Sequence, residues 1–246
     1  MSRRDAGARD SGGRAQANVV GVALLIGVTV VALGTLTASI GAVVEEDAAR
    51  ADARRVADGF DAALEPVERT GDHRGTVGFT DGELSAVDRQ VRILDESGVV
   101  RTVDADALVF EAGDRRVTFL AGAIVRGQPP GTRLWTQPPI TASRDDGALV
   151  VGVATLGDVT THVSGGGRVT LRTRVEHERT ALGDGTYRVA IETATPRPWR
   201  THFERTGATV TERDFDGDGV ASVVARYPGE RTAWLVRHDL NTEVAA

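Results

Sequence analysis

From residue 15 to residue 44 the chain carries no formal charge, 30 residues in a row. Residues 19–44 of that run read VVGVALLIGVTVVALGTLTASIGAVV, longer than the roughly 20 apolar residues that take a helix across about 30 Å of hydrocarbon. A lone segment in lipid satisfies its own backbone only as a helix. Core helices of soluble proteins are shorter and keep a polar face, and a cleaved secretory signal has an apolar region of only about 7–15 residues. The run fits neither and predicts a retained membrane-spanning helix. Past Val44 polar residues enter at intervals. Ala48, Ala51, Val56, Phe60, Ala63, Leu64 and Val67 fall mostly three or four apart, with Asp and Arg between them, which predicts an amphipathic continuation over residues 45–68. Pro66 and Gly71 stop it near Glu65. Gly59 within it costs about 1 kcal/mol against Ala.

From about residue 76 the period shortens to two. Short runs rich in β-branched residues at 91–94, 107–110, 116–120, 148–153, 169–175 and 187–191 are separated by Gly and Asp clusters at 97–98, 113–114, 146–147, 165–167 and 183–185, the signature of strands and turns. Arg172 and Arg174 alternate with Leu171, Thr173 and Val175, as in a half-exposed strand. Two Gln-Pro-Pro segments, beginning at Gln128 and Gln137, bracket Leu134-Trp135-Thr136 as a short edge element, because Pro cannot donate to a ladder. Residues 198–207 open with Pro and close with Gly, as a short helix does. Its Trp199 and Phe203 share a face and are read as a clamp over the sheet. Strands at 209–215, 220–227 and 233–238 follow. The fold class is α+β: a long N-terminal helix, then a mainly antiparallel β-sandwich or rolled sheet over residues 76–246.

Composition narrows the setting. There is no Cys, so disulfides and thiol chemistry are excluded. All 29 basic residues are Arg against 35 acidic ones, a bias that suggests a halophilic archaeal source. The net charge is −6, and −8 without the first fifteen residues; this favours solubility, and no basic tract argues for nucleic acid. Arg3, Arg4, Arg9 and Arg14 precede the apolar run, whereas Glu45, Glu46 and Asp47 follow it. The positive-inside rule places the N-terminus in the cytoplasm and the C-terminal domain outside the cell.

The junction before the helix is the most specific stretch. Residues 1–15 form a short polar, Gly-rich leader ending in Arg14 and Ala15, followed by Gln16-Ala17-Asn18 and the apolar run. This order resembles the class III signal peptide of archaeal type IV pilins and archaellins, over roughly residues 10–65. The resemblance implies that a prepilin peptidase reads Arg14 and Ala15, that Gln16 becomes the mature N-terminus, and that the helix over residues 16–44 is retained to pack with other pilin-like subunits. Val20 stands at the fifth mature position, where bacterial members often carry Glu. Gly27, Gly34 and Gly41 recur every seven residues and form a slowly drifting stripe, which lets helices approach closely in lipid.

Chemistry is sparse. Asp214, Asp216 and Asp218, with Gly217 and Gly219, open like an EF-hand loop, but the twelfth position holds Ala225 instead of a bidentate Glu. A hairpin turn in which Asp and Gly serve backbone geometry is the favoured reading; an abbreviated Ca2+ loop is the alternative. The five His, at 73, 162, 177, 202 and 238, show no metal-ligand spacing, and there is no nucleophile elbow, P-loop or dinucleotide fingerprint. No catalytic residue and no cofactor are therefore expected. The reading is a pilin-like surface subunit that assembles through its helix, with a membrane-anchored binding module that never polymerises as the alternative.

Overall fold

The computed structural model describes residues 12–64, 69–143 and 147–245, with side chains from residue 21 onward. Helix α1 (Gly12–Leu64) comes first. It is followed by strands β1 (Gly71–Phe79), β2 (Glu83–Val87), β3 (Gln90–Leu94), β4 (Val99–Asp104), β5 (Ala107–Ala112), β6 (Arg115–Leu120), β7 (Ala123–Gly127), β8 (Arg133–Thr136), β9 (Ile140–Ala142), β10 (Ala148–Thr155), β11 (His162–Ser164), β12 (Gly167–Gly185) and β13 (Arg188–Glu192). Helix α2 (Pro196–Arg205) and strands β14 (Thr209–Arg213), β15 (Ser222–Arg226), β16 (Arg231–Asp239) and β17 (Glu243–Ala245) complete the order. The architecture is α+β: a long apolar N-terminal helix and a mostly antiparallel β domain.

The strands make three sheets. The first runs β1-β12-β16-β10-β9, with β17 also on β12; the second β11-β2-β5-β6-β7-β8; the third β14-β15-β13-β3-β4. Every pairing is antiparallel except β10 with β16. β12 is long enough to serve three partners, pairing β1 through residues 167–175, β17 through residues 170–172 and β16 through residues 176–185.

The chain divides into two units after Asp47. The amphipathic end of α1 therefore belongs with the sheets, and the reason is burial. Val56, Ala57, Phe60, Ala63 and Leu64 join Val77 and Phe79 of β1, Phe110 of β5, Phe119 of β6 and Leu171 of β12 in one core. A second core holds Trp199 and Phe203 of α2 with Val91, Ile93, Val189, Ile191, Val223 and Leu149. The second sheet lies between the two. In β5, Leu108 and Phe110 face the helix core, whereas Ala107 and Val109 face the other. This explains why the strand reads as a continuous apolar run and not as an alternation.

Several expectations are met. β8 forms the edge of the second sheet, and Trp199 and Phe203 are fully buried with ring centroids 6.1 Å apart; the expected helix stop near Glu65 lies outside the described residues. Others need correction. Ala48 and Ala51, assigned to the buried face, are exposed, while Asp52 and Ala53 are buried; the buried stripe is rotated slightly around the helix. β1 begins at Gly71, ahead of residue 76, because its polar first half is held by register with β12 and not by apolar burial. Gly183 and Gly185 lie at the end of β12 beside an irregularity at residues 181–183, not in a hairpin, since the chain then passes to another sheet. Val67, Pro66 and Asp146 fall outside the described residues.

Candidate functional site

The apolar half of α1 presents an exposed surface over residues 21–44. Among the described residues, the large apolar side chains from Val22 to Val44 are all more than half exposed, Leu25 reaching 71%. The polar side chains in this stretch are satisfied locally. Thr29 Oγ1 donates to Leu25 O at 2.8 Å, Thr35 to Ala32 O at 2.9 Å, Thr37 to Leu33 O at 2.9 Å and Ser39 to Thr35 O at 2.8 Å. A helix that closes its hydroxyls onto its own carbonyls carries no unsatisfied polar group into lipid. A Cβ added at Gly27, Gly34 or Gly41 would meet nothing within 4 Å, so no contact among the described residues requires these glycines. Arg14, Ala15 and Gln16 lie in the first turns of α1, where side chains are outside those described.

The amphipathic half is latched to the sheets by a residue that its sequence pattern assigned to solvent. Asp52 is 1% exposed. It accepts hydrogen bonds from Thr80 N at 2.9 Å and Asp81 N at 3.2 Å, at the turn after β1, and pairs with Arg55, which also reaches Thr80 Oγ1. Burial alone would raise the Asp52 pKa, but the bonds from Thr80, Arg55 and Asp81 together hold it below the ordinary carboxylate value. Gly59 is also structural: a Cβ there would come within 3.0 Å of Thr76 O and 3.2 Å of Val77 Cα. The glycine that lowers helix propensity is what lets the helix lie against β1.

Asp214, Asp216 and Asp218 do converge, with oxygens within 4.8 Å of one another, all on exposed residues. Each also makes a local contact. Asp214 accepts from Gly217 N at 2.8 Å and Gly219 N at 3.2 Å, and Asp218 from Val220 N at 2.8 Å. Asp216 pairs at 2.8 Å with Arg92, a buried residue of β3 that also contacts Glu192 at 3.2 Å and lies 5.0 Å over the Phe215 ring. These bonds are those of an Asx-type turn. Beside the turn is a recess of about 660 Å3 lined by Asp88, Asp104, Asp106, Glu192, Asp216 and Asp218. Burial and the neighbouring Asp88 raise the pKa of Asp106. Burial raises that of Glu192, against the opposing effect of Arg92.

Register also joins residues that are remote in sequence. His177 and His238 stand directly opposite one another on β12 and β16, with Nδ1 atoms 3.0 Å apart. Arg126 and Arg133 are opposed on β7 and β8, with the Arg126 guanidinium 4.0 Å from the centroid of the Trp135 ring. Neither pair is signalled by spacing, because strand register fixes both.

Among the described residues, one helix long and apolar enough to cross a membrane, joined to a β domain of three sheets, defines the class of this protein. The chain belongs to a family of unknown function, DUF7289, whose model matches residues 14–243 and so takes in the helix and the sheets together. No curated protein and no solved structure matches the chain significantly.

Proposed function

We propose that this protein is a haloarchaeal type IV pilin-like cell-surface subunit, anchored with its N-terminus in the cytoplasm and its β domain outside. The leader is removed between Ala15 and Gln16 by a prepilin peptidase, and the helix is retained. The observation that carries this reading is the apolar half of α1, which is exposed from Val22 to Val44, has its hydroxyls closed internally, and bears Gly27, Gly34 and Gly41 with open space at each Cβ position. Such a surface suits lipid first and the helices of other subunits afterwards. The order of Arg14, Ala15, Gln16 and the apolar run supplies the processing signal. The β domain is read as a non-catalytic head, and the Asp214–Asp218 loop as a turn first and a Ca2+ site second.

Mass spectrometry of the native N-terminus, in cells with and without the prepilin peptidase, tests the proposal. A mature chain beginning at Gln16 only when the peptidase is present is the expected result. An intact leader under both conditions would replace it with the alternative, a single-pass anchored binding module that does not polymerise.

A further inference from the structure

Trp135 is the most exposed aromatic of the β domain, at 44%. It lies on β8, the edge of the second sheet, where register passes from Val125 opposite Leu134 to Ile124 opposite Thr136. Trp135 is thus the extra residue of a β-bulge, a device that re-aims a side chain. Arg126 lies over its ring at 4.0 Å and directly opposite Arg133 across the ladder. Like charges in that position repel. Arg54, on the exposed face of α1, adds a third positive charge within electrostatic reach of Arg126. Among the described residues none of the three forms an ion pair with a carboxylate. Asp58 partly offsets them at Arg126, while Asp61 accepts from Thr136 Oγ1 at 2.7 Å. Burial and the two neighbouring guanidinium groups lower the Arg126 pKa. Arg126 over an exposed indole, with Arg133 opposite it and Arg54 within electrostatic reach, forms a cluster of positive charge on a chain of net charge −6.

We propose that this edge binds acidic sugar units, the ring of the sugar packing on Trp135 and its carboxylate or sulfate held by Arg126 and Arg133. Guanidinium forks match the paired oxygens of either anion, and an indole offers an apolar face to ring C–H groups. Thr136 and Gln137 follow Trp135 directly in the chain and add polar groups able to meet hydroxyls. A peptide strand added to β8 is the weaker fit: the strand has four residues, and the Pro pairs at 129–130 and 138–139 stop the ladder on both sides.

The full chain in detergent micelles is titrated with oligogalacturonate, with a neutral glucan of matched length and with sodium sulfate, following tryptophan fluorescence and calorimetry. Saturable binding of oligogalacturonate but not of the glucan is expected. The joint R126Q/R133Q change should weaken it by about tenfold or more, the worth of a charge-assisted contact. W135A should abolish it with an unchanged melting temperature, and W135F should retain part of it. Absence of saturable binding, undiminished binding by W135A, or binding of the neutral glucan with equal strength would each overturn the proposal. Free sulfate that binds as tightly as oligogalacturonate would do the same, by reducing the site to one for simple anions.

Discussion

Gly75 of β1 is stacked on Ala63 of α1 so closely that a Cβ at position 75 would lie 2.7 Å from Ala63 Cα. Helix and strand meet here with no side chain on the strand at all, and Gly59 repeats the arrangement from the helix side against Thr76 and Val77. The contact leaves no room for a methyl group. Gly75→Ala is expected to lower stability by about 1–3 kcal/mol, the usual cost of overpacking, as measured by chemical denaturation of the chain in detergent. An unchanged midpoint would mean that α1 does not lie on β1 as described.

Asp52 should matter more than any other charge on α1. Its removal leaves the amides of Thr80 and Asp81 without their acceptor, so Asp52→Ala is expected to cost about 1–3 kcal/mol. Because the folded pKa lies below 3.8, its contribution is fully present above that value and is lost as pH falls through the lower folded pKa. Asp52→Asn should flatten the acid limb of the stability profile. Acid titration of the two proteins side by side, read by circular dichroism, checks both statements.

His202 of α2 gives a second acid-sensitive element by a different route. It is 3% exposed and its Nε2 is buried without a hydrogen-bond partner. Burial, assisted by Arg205, lowers its pKa from 6.5. The unfolded chain therefore takes up the proton first, and stability should begin to fall as pH drops below about 6.5 and continue until the folded pKa is passed. His202→Leu is expected to remove this slope, whereas substituting the exposed His162 should leave it intact. Melting temperatures between neutral and mildly acidic pH decide the matter.

Millimolar Ca2+ is expected to leave the melting temperature unchanged, since the carboxylates of Asp214, Asp216 and Asp218 each already have a partner in the protein. A rise of several degrees that Asp218→Asn abolishes would assign the ion to this loop.

Replacing Gly34 by Ile should separate folding from assembly. With nothing within 4 Å of the added Cβ, the β domain should keep its stability to within about 0.5 kcal/mol. Under the pilin-like reading proposed above, co-sedimentation of the protein with surface filaments should fall. Retained assembly would show that the glycine stripe is not where helices meet.

Much of the fold could be read from the residues because local pattern and burial agree. The α1 stripe of Val56, Phe60, Ala63 and Leu64, the β-branched runs of β3, β5, β10 and β13, and the shared Trp199 and Phe203 face of α2 all point the same way at short range, although α2 opens at Pro196 and not at Pro198. What could not be read depends on register. The first half of β1, Gly-Asp-His-Arg-Gly, has no apolar alternation and is a strand only because β12 supplies its partners. Asp52 looks like any solvated carboxylate until the Thr80–Asp81 turn is brought beneath it. The Arg126, Arg133 and Trp135 cluster is split between two strands and a bulge, and no spacing rule links them. The parallel pairing of β10 with β16 spans most of the second half of the chain and leaves no local mark.

The placement of Val56, Phe60 and Leu64 inside a core shared with β1, β5 and β12 also decides where the polypeptide can be cut. A fragment released after Leu64 would lose one wall of its interior and expose Phe79 and Phe110 to water, whereas one beginning at Ala48 would keep both. A protease shedding this head intact must therefore cleave on the N-terminal side of Asp52.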